Sequence, residues 1–342
     1  MRKLASIRRI ADIQPIEGAD AIEVAAVDGW KVVVKKDEFK VGDLAVYLEI
    51  DSWVPHELAP FLSKGQEPRE YNGVKGERLR TVKLRGQVSQ GLILSTHDRG
   101  IFNVLASKDS ALLFEIAEEG MDLTEALGIQ KWEAPIPAQL QGQAAGMFPT
   151  SLIPKTDQER IQNCFNDILR GDYTYEVTMK LDGSSCTIFR WEGELRVCSR
   201  NLELKINEEN KDNTFVAMAL KIGDRIPDGI AVQGELMGPG IQGNREGFTE
   251  HKFFVFDMFD IKKHEYFDPY SRVITCDSLG LEHVPLLGED WKAPNSVEEG
   301  LALAEGPSIN HKIREGLVWK CNEDPSFSFK TISNQFLLKG GD

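Results

Sequence analysis

The stretch EVTMKLDGSSCTIF, residues 176–189, constrains the fold more tightly than any other in the chain. Tyr175, Val177 and Met179 alternate with Glu176 and Thr178, the period-two pattern of a half-buried strand. A Leu-Asp-Gly turn interrupts it, and Cys186, Thr187, Ile188 and Phe189 supply a second strand-forming run. Lys180 is therefore expected at the mouth of a hairpin, held by rigid sheet. A lysine beside a turn is ordinarily a surface residue, so its meaning depends on the rest of the chain.

At 342 residues the chain is long enough for two domains, each with its own core. Residues 1 to about 95 are short strands separated by turns. AIEVAAVDGWKVVVKK reads as a hairpin around Asp28-Gly29, and FKVGDLAVYLEIDSWVP adds a strand after Gly42-Asp43. RLRTVKLRGQVSQGLILS adds at least one more. Strands this short in so compact a region imply a small barrel. SALLFEIAEEGMDLTEALGI is mixed, with helix expected near its end, and residues 133–154, rich in Pro, Gly, Ala and Gln, read as a linker. TDQERIQNCFNDILRG reads as a helix, with Thr156 or Asp157 as N-cap and Gly171 as its stop. From Tyr173 onward strands and helices mix without βαβ repetition, which points to an α+β domain.

Charge and cysteine usage narrow the function classes. The net charge of −14 argues against a protein that simply coats nucleic acid, and most of the acidic excess lies beyond Trp132. An acidic second half suits a divalent cation, so basic patches would have to hold any polyanion. Cys164, Cys186, Cys198, Cys276 and Cys321 include no C-x-x-C pair, which disfavours zinc and disulfides and points to a reducing, cytoplasmic setting. No apolar stretch approaches the roughly 20 residues that span a bilayer. The basic start MRKLASIRRIADIQ lacks the apolar core of an export signal.

Five stretches after Lys180 carry chemistry-bearing residues. RVCSRN ends on Ser199, Arg200 and Asn201, and AVQGELMGPGIQGN places Glu235 before a glycine-rich turn where backbone can approach a ligand. HKFFVFDMFD carries Phe256-Asp257, REGLVWK sets Glu315-Gly316 before a strand, and FSFKTISNQF gives Lys330. Singly, each has an ordinary reading: Arg200 a solvated charge, Phe256 core, Lys330 an edge-strand lysine. In this order they resemble the covalent nucleotidyltransferase superfamily of ATP-dependent DNA and RNA ligases and mRNA capping enzymes. KLDGSS is similar to motif I, SRN to Ia, GELMGPGIQ to III, FFVFDMF to IIIa, EGLVWK to IV and FSFKTIS to V. GELMGPGIQGN and IPKTDQERIQN look most like RNA-repair ligases, and the whole chain resembles the Deinococcus-type ATP-dependent RNA ligases.

That resemblance implies an amino-terminal all-β OB-fold barrel for nucleic acid over residues 1–132 and a linker over 133–154. It implies an α+β, ATP-grasp-like adenylyltransferase domain with antiparallel sheets over 155–342. Lys180 would be the nucleophile that takes AMP from ATP, with Lys330 the second catalytic lysine. Glu176, Met179, Leu181, Arg200, Glu235, Phe256, Glu315 and Lys330 would bind ATP, and Asp182, Glu235 and Glu315 would hold Mg²⁺ or Mn²⁺. The residue types suit these roles. Attack on phosphorus needs a neutral amine, which burial and a neighbouring cation favour. Carboxylates suit a hard cation, a phenyl face suits adenine, a guanidinium suits phosphate or ribose, and the backbone of 176–179 would read the adenine edge. The reaction would run through lysyl-AMP and a 5′-adenylylated polynucleotide to join 3′-hydroxyl and 5′-phosphate ends, in RNA repair. Two positions depart from the family. Ser185 stands where an arginine is frequent, and Ile332 where a second motif V lysine is frequent. The ribose and end-phosphate contacts are thereby left open.

Only the twelve residues after Lys330 remain, so the trailing OB domain of DNA ligases and capping enzymes is not expected, and the front domain would do that work. Its stretch VKGERLRTVKLRG offers Lys75, Arg78, Arg80, Lys83 and Arg85 against Glu77. Arg78, Arg80, Lys83 and Arg85 are expected to track a phosphate backbone; a charged, aggregation-resistant edge strand reads equally well. The expected partner is RNA or an RNA-containing nicked duplex, engaged by a monomer with no membrane contact. Two alternatives stand beside this: a tRNA-like RNA-binding module with a degenerate ligase domain, suggested by GADAIEVAAVDGWKVVV, and an ATP-dependent DNA ligase.

Overall fold

A computed structural model describes residues 3–107, 118–133 and 142–339. The chain divides into two compact units, Met1–Pro135 and Ile136–Gly341. Among the described residues no helix is long and apolar enough to cross a membrane.

The first unit is a small all-β fold. Five antiparallel strands lie in the order Leu92–Ser95, Leu44–Leu48, Ala5–Ile16, Ala19–Val27, Trp30–Lys35. A four-stranded sheet is built on Ser52–Pro55 and Val74–Arg78. The Asp28-Gly29 hairpin forms as expected. Val27 pairs with Trp30, and Asp28 takes φ +48°, a left-handed value that aspartate tolerates. Ile10, Val27, Trp30, Val32 and Tyr47 form one core, and Ile7, Leu48, Val54 and Leu127 belong to another. Residues 124–128, near the end of the stretch expected to turn helical, form a turn instead, and a helix spans Arg99–Ser107. The rest of that expectation lies outside the described residues.

The second unit holds two sheets. An eight-stranded sheet runs Ala144–Met147, Leu202–Leu204, Glu194–Ser199, Ser184–Trp191, Ile230–Met237, Lys252–Asp260, Glu265–Tyr266, with Glu282–His283 beside Lys252–Asp260. A five-stranded sheet runs Glu159–Arg160, Ser328–Ile332, Gly316–Cys321, Thr174–Lys180, Leu286–Lys292. Both are antiparallel apart from the short parallel pairings of Glu159–Arg160 and Glu282–His283. The first sheet packs Ile188, Val232 and Val255 against the helix Thr214–Ile222; the second packs Tyr175, Val177 and Trp319 against the helices Ile161–Ile168 and Val297–Ala304. Residues 134–141 of the expected linker lie outside the described residues. Ala144–Met147 pairs with Leu202–Leu204, and Phe148 and Ile153 are buried against Phe189 and Phe259.

Two expectations are corrected. The strands flanking Leu181–Gly183 are not a hairpin. Thr174–Lys180 pairs with Gly316–Cys321 and Leu286–Lys292, whereas Ser184–Trp191 pairs with Glu194–Ser199 and Ile230–Met237. Both strands are interior, so the turn carries the chain from one sheet into the other. Nor is Asp157 a helix cap. The helix starts at Ile161 after Arg160, which makes no side-chain cap, because residues 159–160 are drawn into the sheet beside Phe329 and Lys330.

Candidate active site

Strand register assembles the centre of the site. Lys180 pairs with Gly316, which brings the preceding Glu315 alongside, and its Nζ lies 2.6 Å from Glu315 Oε1. Gly316 must be glycine, since a Cβ there would meet Thr331 O at 2.1 Å. From the other sheet, Ser185 pairs with Glu235, whose Oε1 accepts the Gly183 N–H at 3.0 Å. Asp182 pairs with Arg245 at 3.2 Å, and that guanidinium lies over the Phe336 ring.

Three carboxylates thus crowd one lysine. Burial pushes Glu235 up to about 8, with Lys180 opposing and Glu315 adding to the rise; burial and then Glu315 push Asp182 up to about 6. For Lys180 burial acts downward, but the fields of Glu315, Glu235 and Asp182 prevail and the net shift is upward. In the absence of a cation the amine is thus held as ammonium, contrary to the depressed pKa expected from burial. Among the described residues no group of three His, Cys, Asp or Glu is spaced as a preformed metal cage. Magnesium-like ions usually take one or two carboxylates, with water and substrate phosphates completing the shell. A hard cation therefore fits, because the acids here prefer a proton to remaining charged together.

Beside this centre, Phe256 is half-buried among Met179, Leu181, Met237, Phe254 and Val284. Three residues expected to touch ATP are otherwise engaged. Leu181 is 3% exposed and belongs to that apolar cluster. Met179 donates its N–H to Pro285 O at 2.9 Å. Glu176 is buried against Arg272, so its carboxylate braces the sheet, and its strand is interior rather than a free edge. The same buried network includes Lys320, which donates to Asp257 Oδ1 at 2.5 Å and to the Phe256 carbonyl. Burial, with Arg272 nearby, lowers Lys320 to about 8.

Lys330 pairs with Val318, which pairs with Thr178 in the strand of Lys180; Asp157 lies 3.6 Å from Arg200 and 3.5 Å from Lys330, and Lys155 donates to Asn201 Oδ1 at 2.9 Å. The sequence reading missed Asp157 by treating it as a cap. It also missed Arg245, which follows the glycine-rich turn, and Arg272, which no pattern marks; Lys320 was visible only as part of EGLVWK.

In the first unit, Arg80, Lys83 and Arg85 are exposed. Lys83 lies on the strand Val82–Leu84, which pairs with Gln87–Ser89 through a tight Arg85-Gly86 turn at φ +47° and +87°. Arg78 departs from expectation. Its side chain is 7% exposed, ion-paired with Asp51 at 2.6 Å and stacked 3.9 Å over Trp132, so it is already committed within its own unit.

An OB-fold domain family model matches residues 4–96, and the RNA ligase family model matches residues 174–332. Among curated proteins none matches the chain. Solved structures do. A Naegleria gruberi RNA ligase mutant with AMP and Mn is 42% identical, with a TM-score of 0.82 and 98% of each chain covered. A second mutant of that enzyme, with ATP and Mn, gives the same identity, TM-score and coverage. The form with PPi is also 42% identical at TM-score 0.82, over 99% of each chain. With two matching family models in order and this identity over nearly the whole length, the chain belongs to the RNA ligase family.

Proposed function

We propose that this RNA ligase uses ATP to join a 3′-hydroxyl to a 5′-phosphate through lysyl-AMP at Lys180. The observation that carries the assignment is the 2.6 Å contact of Lys180 with Glu315 inside a ring of three carboxylates, at the junction of two sheets. The likeness to ligase structures with ATP or AMP and Mn supports the same nucleotide and a divalent cation here.

Glu315, in contact with Lys180, would take the proton that Lys180 must lose before attacking the α-phosphorus. The new bond is Nζ–P; the bond to the β-phosphate oxygen breaks, and pyrophosphate leaves. Lys330, 16% exposed, would stabilise developing charge on the α-phosphate oxygens. Phe256 offers its ring to adenine, and its carbonyl is fixed by Lys320. Asp182, Glu235 and Glu315 would hold Mg²⁺ or Mn²⁺, whose charge would offset the phosphates and depress the Lys180 pKa. A 5′-phosphate then attacks the lysyl-AMP phosphorus and Lys180 leaves. Finally the 3′-hydroxyl displaces AMP. Arg80, Lys83 and Arg85 on the front unit would grip the backbone of the RNA, with repair of broken strands as the setting. Five free, buried cysteines suit a reducing compartment.

Incubation with ATP and Mn²⁺ should give an acid-stable AMP adduct that peptide mapping places on Lys180. An adduct retained in Lys180→Ala overturns the assignment.

A further inference from the structure

Three cations lie near one another in the second unit, and one carboxylate lies between two of them. Asp157 Oδ2 faces Arg200 at 3.6 Å and its Oδ1 faces Lys330 at 3.5 Å. Lys155, two residues earlier, donates to Asn201, the neighbour of Arg200, at 2.9 Å. Both Asp157 contacts exceed the roughly 2.7–2.9 Å of a charge-assisted bond, and Asp157 and Arg200 are 46% and 57% exposed. Such pairs are cheap to break. They contrast with Lys180–Glu315 at 2.6 Å and with the fully buried Arg272 network.

The cations form a gradient. Lys330 is the deepest at 16% exposure, and Arg200 and Lys155 lie outward. Transfer of AMP to a 5′-phosphate needs two phosphates side by side, one on Lys180 and one arriving from outside. Lys330 pairs with Val318, and Val318 with Thr178, two residues before Lys180 on the same face of its strand, while Arg200 follows Ser199, which pairs with Cys186 just beyond the Leu181–Gly183 turn. The two positions open in the sequence, Ser185 and Ile332, carry no cation, and Ile332 is buried at 4%.

Resting on the ligase reading, we infer that Lys155 and Arg200 seat the 5′-phosphate of the incoming RNA strand, and that Asp157 fills this seat until the strand displaces it. Asp157 therefore competes with the substrate phosphate. A phosphate oxygen of the seated strand attacks the phosphorus on Lys180; the new P–O bond forms, the P–N bond breaks, and Lys180 recovers a proton.

The test uses the full chain and nicked RNA duplexes ending in 5′-phosphate or 5′-hydroxyl. Wild type binds the phosphorylated nick more tightly. Lys155→Met should lose about tenfold of this preference, the effect of one bond to a charged group, with Lys155→Arg restoring most of it. Asp157→Asn should shift the preference the other way, lowering the KM for the phosphorylated nick severalfold and leaving the binding of the hydroxyl nick unchanged. Both side chains are exposed, so thermal unfolding should match wild type. An unchanged preference in Lys155→Met, or a weaker one in Asp157→Asn, overturns the inference. Failure of every variant and wild type to form lysyl-AMP would instead overturn the ligase reading.

Discussion

Glu235→Gln probes the charge balance of the centre without cutting a contact, since the amide oxygen can still accept the Gly183 N–H. In the cation-free protein Glu235 titrates near 8, against about 4.5 when unfolded. Between these values the fold binds a proton that the unfolded chain does not, so stability falls as pH rises and the loss is complete above 8. Asp182, near 6, stops contributing below the upper part of this window. His283, lowered from 6.5 to about 4 by burial, opposes the fall until its unfolded imidazole is neutral, and Lys320, lowered to about 8, opposes it at the upper end. The fall between pH 6.5 and 8 belongs mainly to Glu235. At about 1.4 kcal/mol per pH unit for one proton, wild type should lose at most about 2 kcal/mol there, less what His283 and Lys320 offset. Urea unfolding at fixed pH without cation measures this, and the Gln variant should lose the fall. Adding Mn²⁺ should raise wild-type stability more at pH 8 than at 6.5, because binding expels the proton. Parallel pH profiles for the two proteins would refute the reasoning.

Other perturbations separate chemistry from scaffold. Glu315→Ala and Lys330→Ala should each cost ~10²- to 10³-fold in lysyl-AMP formation by single-turnover labelling, with unfolding unchanged. Arg80, Lys83 and Arg85 changed together to alanine should leave adenylylation intact and weaken sealing; the log–log salt slope of duplex binding should fall by roughly one for each phosphate no longer neutralised. Arg78→Ala should instead lower the thermal midpoint, since it removes the ion pair with Asp51 and uncovers Trp132. Arg272→Met leaves Glu176 and Asp257 without their buried partner and should destabilise the second unit by about 3–5 kcal/mol in urea unfolding.

The candidate site was legible where chemistry fixes residue identity along the chain. Lys180 ends a strand, Glu315 precedes one, and Glu235 and Lys330 lie within strands; the structure brings the first three together. Alternation misled around Glu176 and Thr178, because a second buried layer covers their face of the sheet. Nothing local marks that layer; Arg272 arrives from a helix almost a hundred residues away. The hairpin reading failed for a related reason. A turn signal tells where a chain bends, but not whether the next strand pairs with the last one or with Ile230–Met237. Arg78 and Lys83 look alike in sequence, and only the positions of Asp51 and Trp132 distinguish an anchored guanidinium from a solvated ammonium.

The crossing at Leu181–Gly183 also sets when, during synthesis, this chain becomes an enzyme. Lys180 acquires its neighbours from Gly316–Cys321, near the end of the chain, and Glu235 comes from a strand that emerges much earlier. Long-range pairings form late because loop closure precedes any reward. A nascent chain can complete the front unit and much of the eight-stranded sheet while Lys180 still lacks Glu315. Such a chain would be chemically silent toward ATP. Acquisition of the AMP mark would then report that Gly316–Cys321 has docked beside Lys180, a covalent timestamp on that pairing.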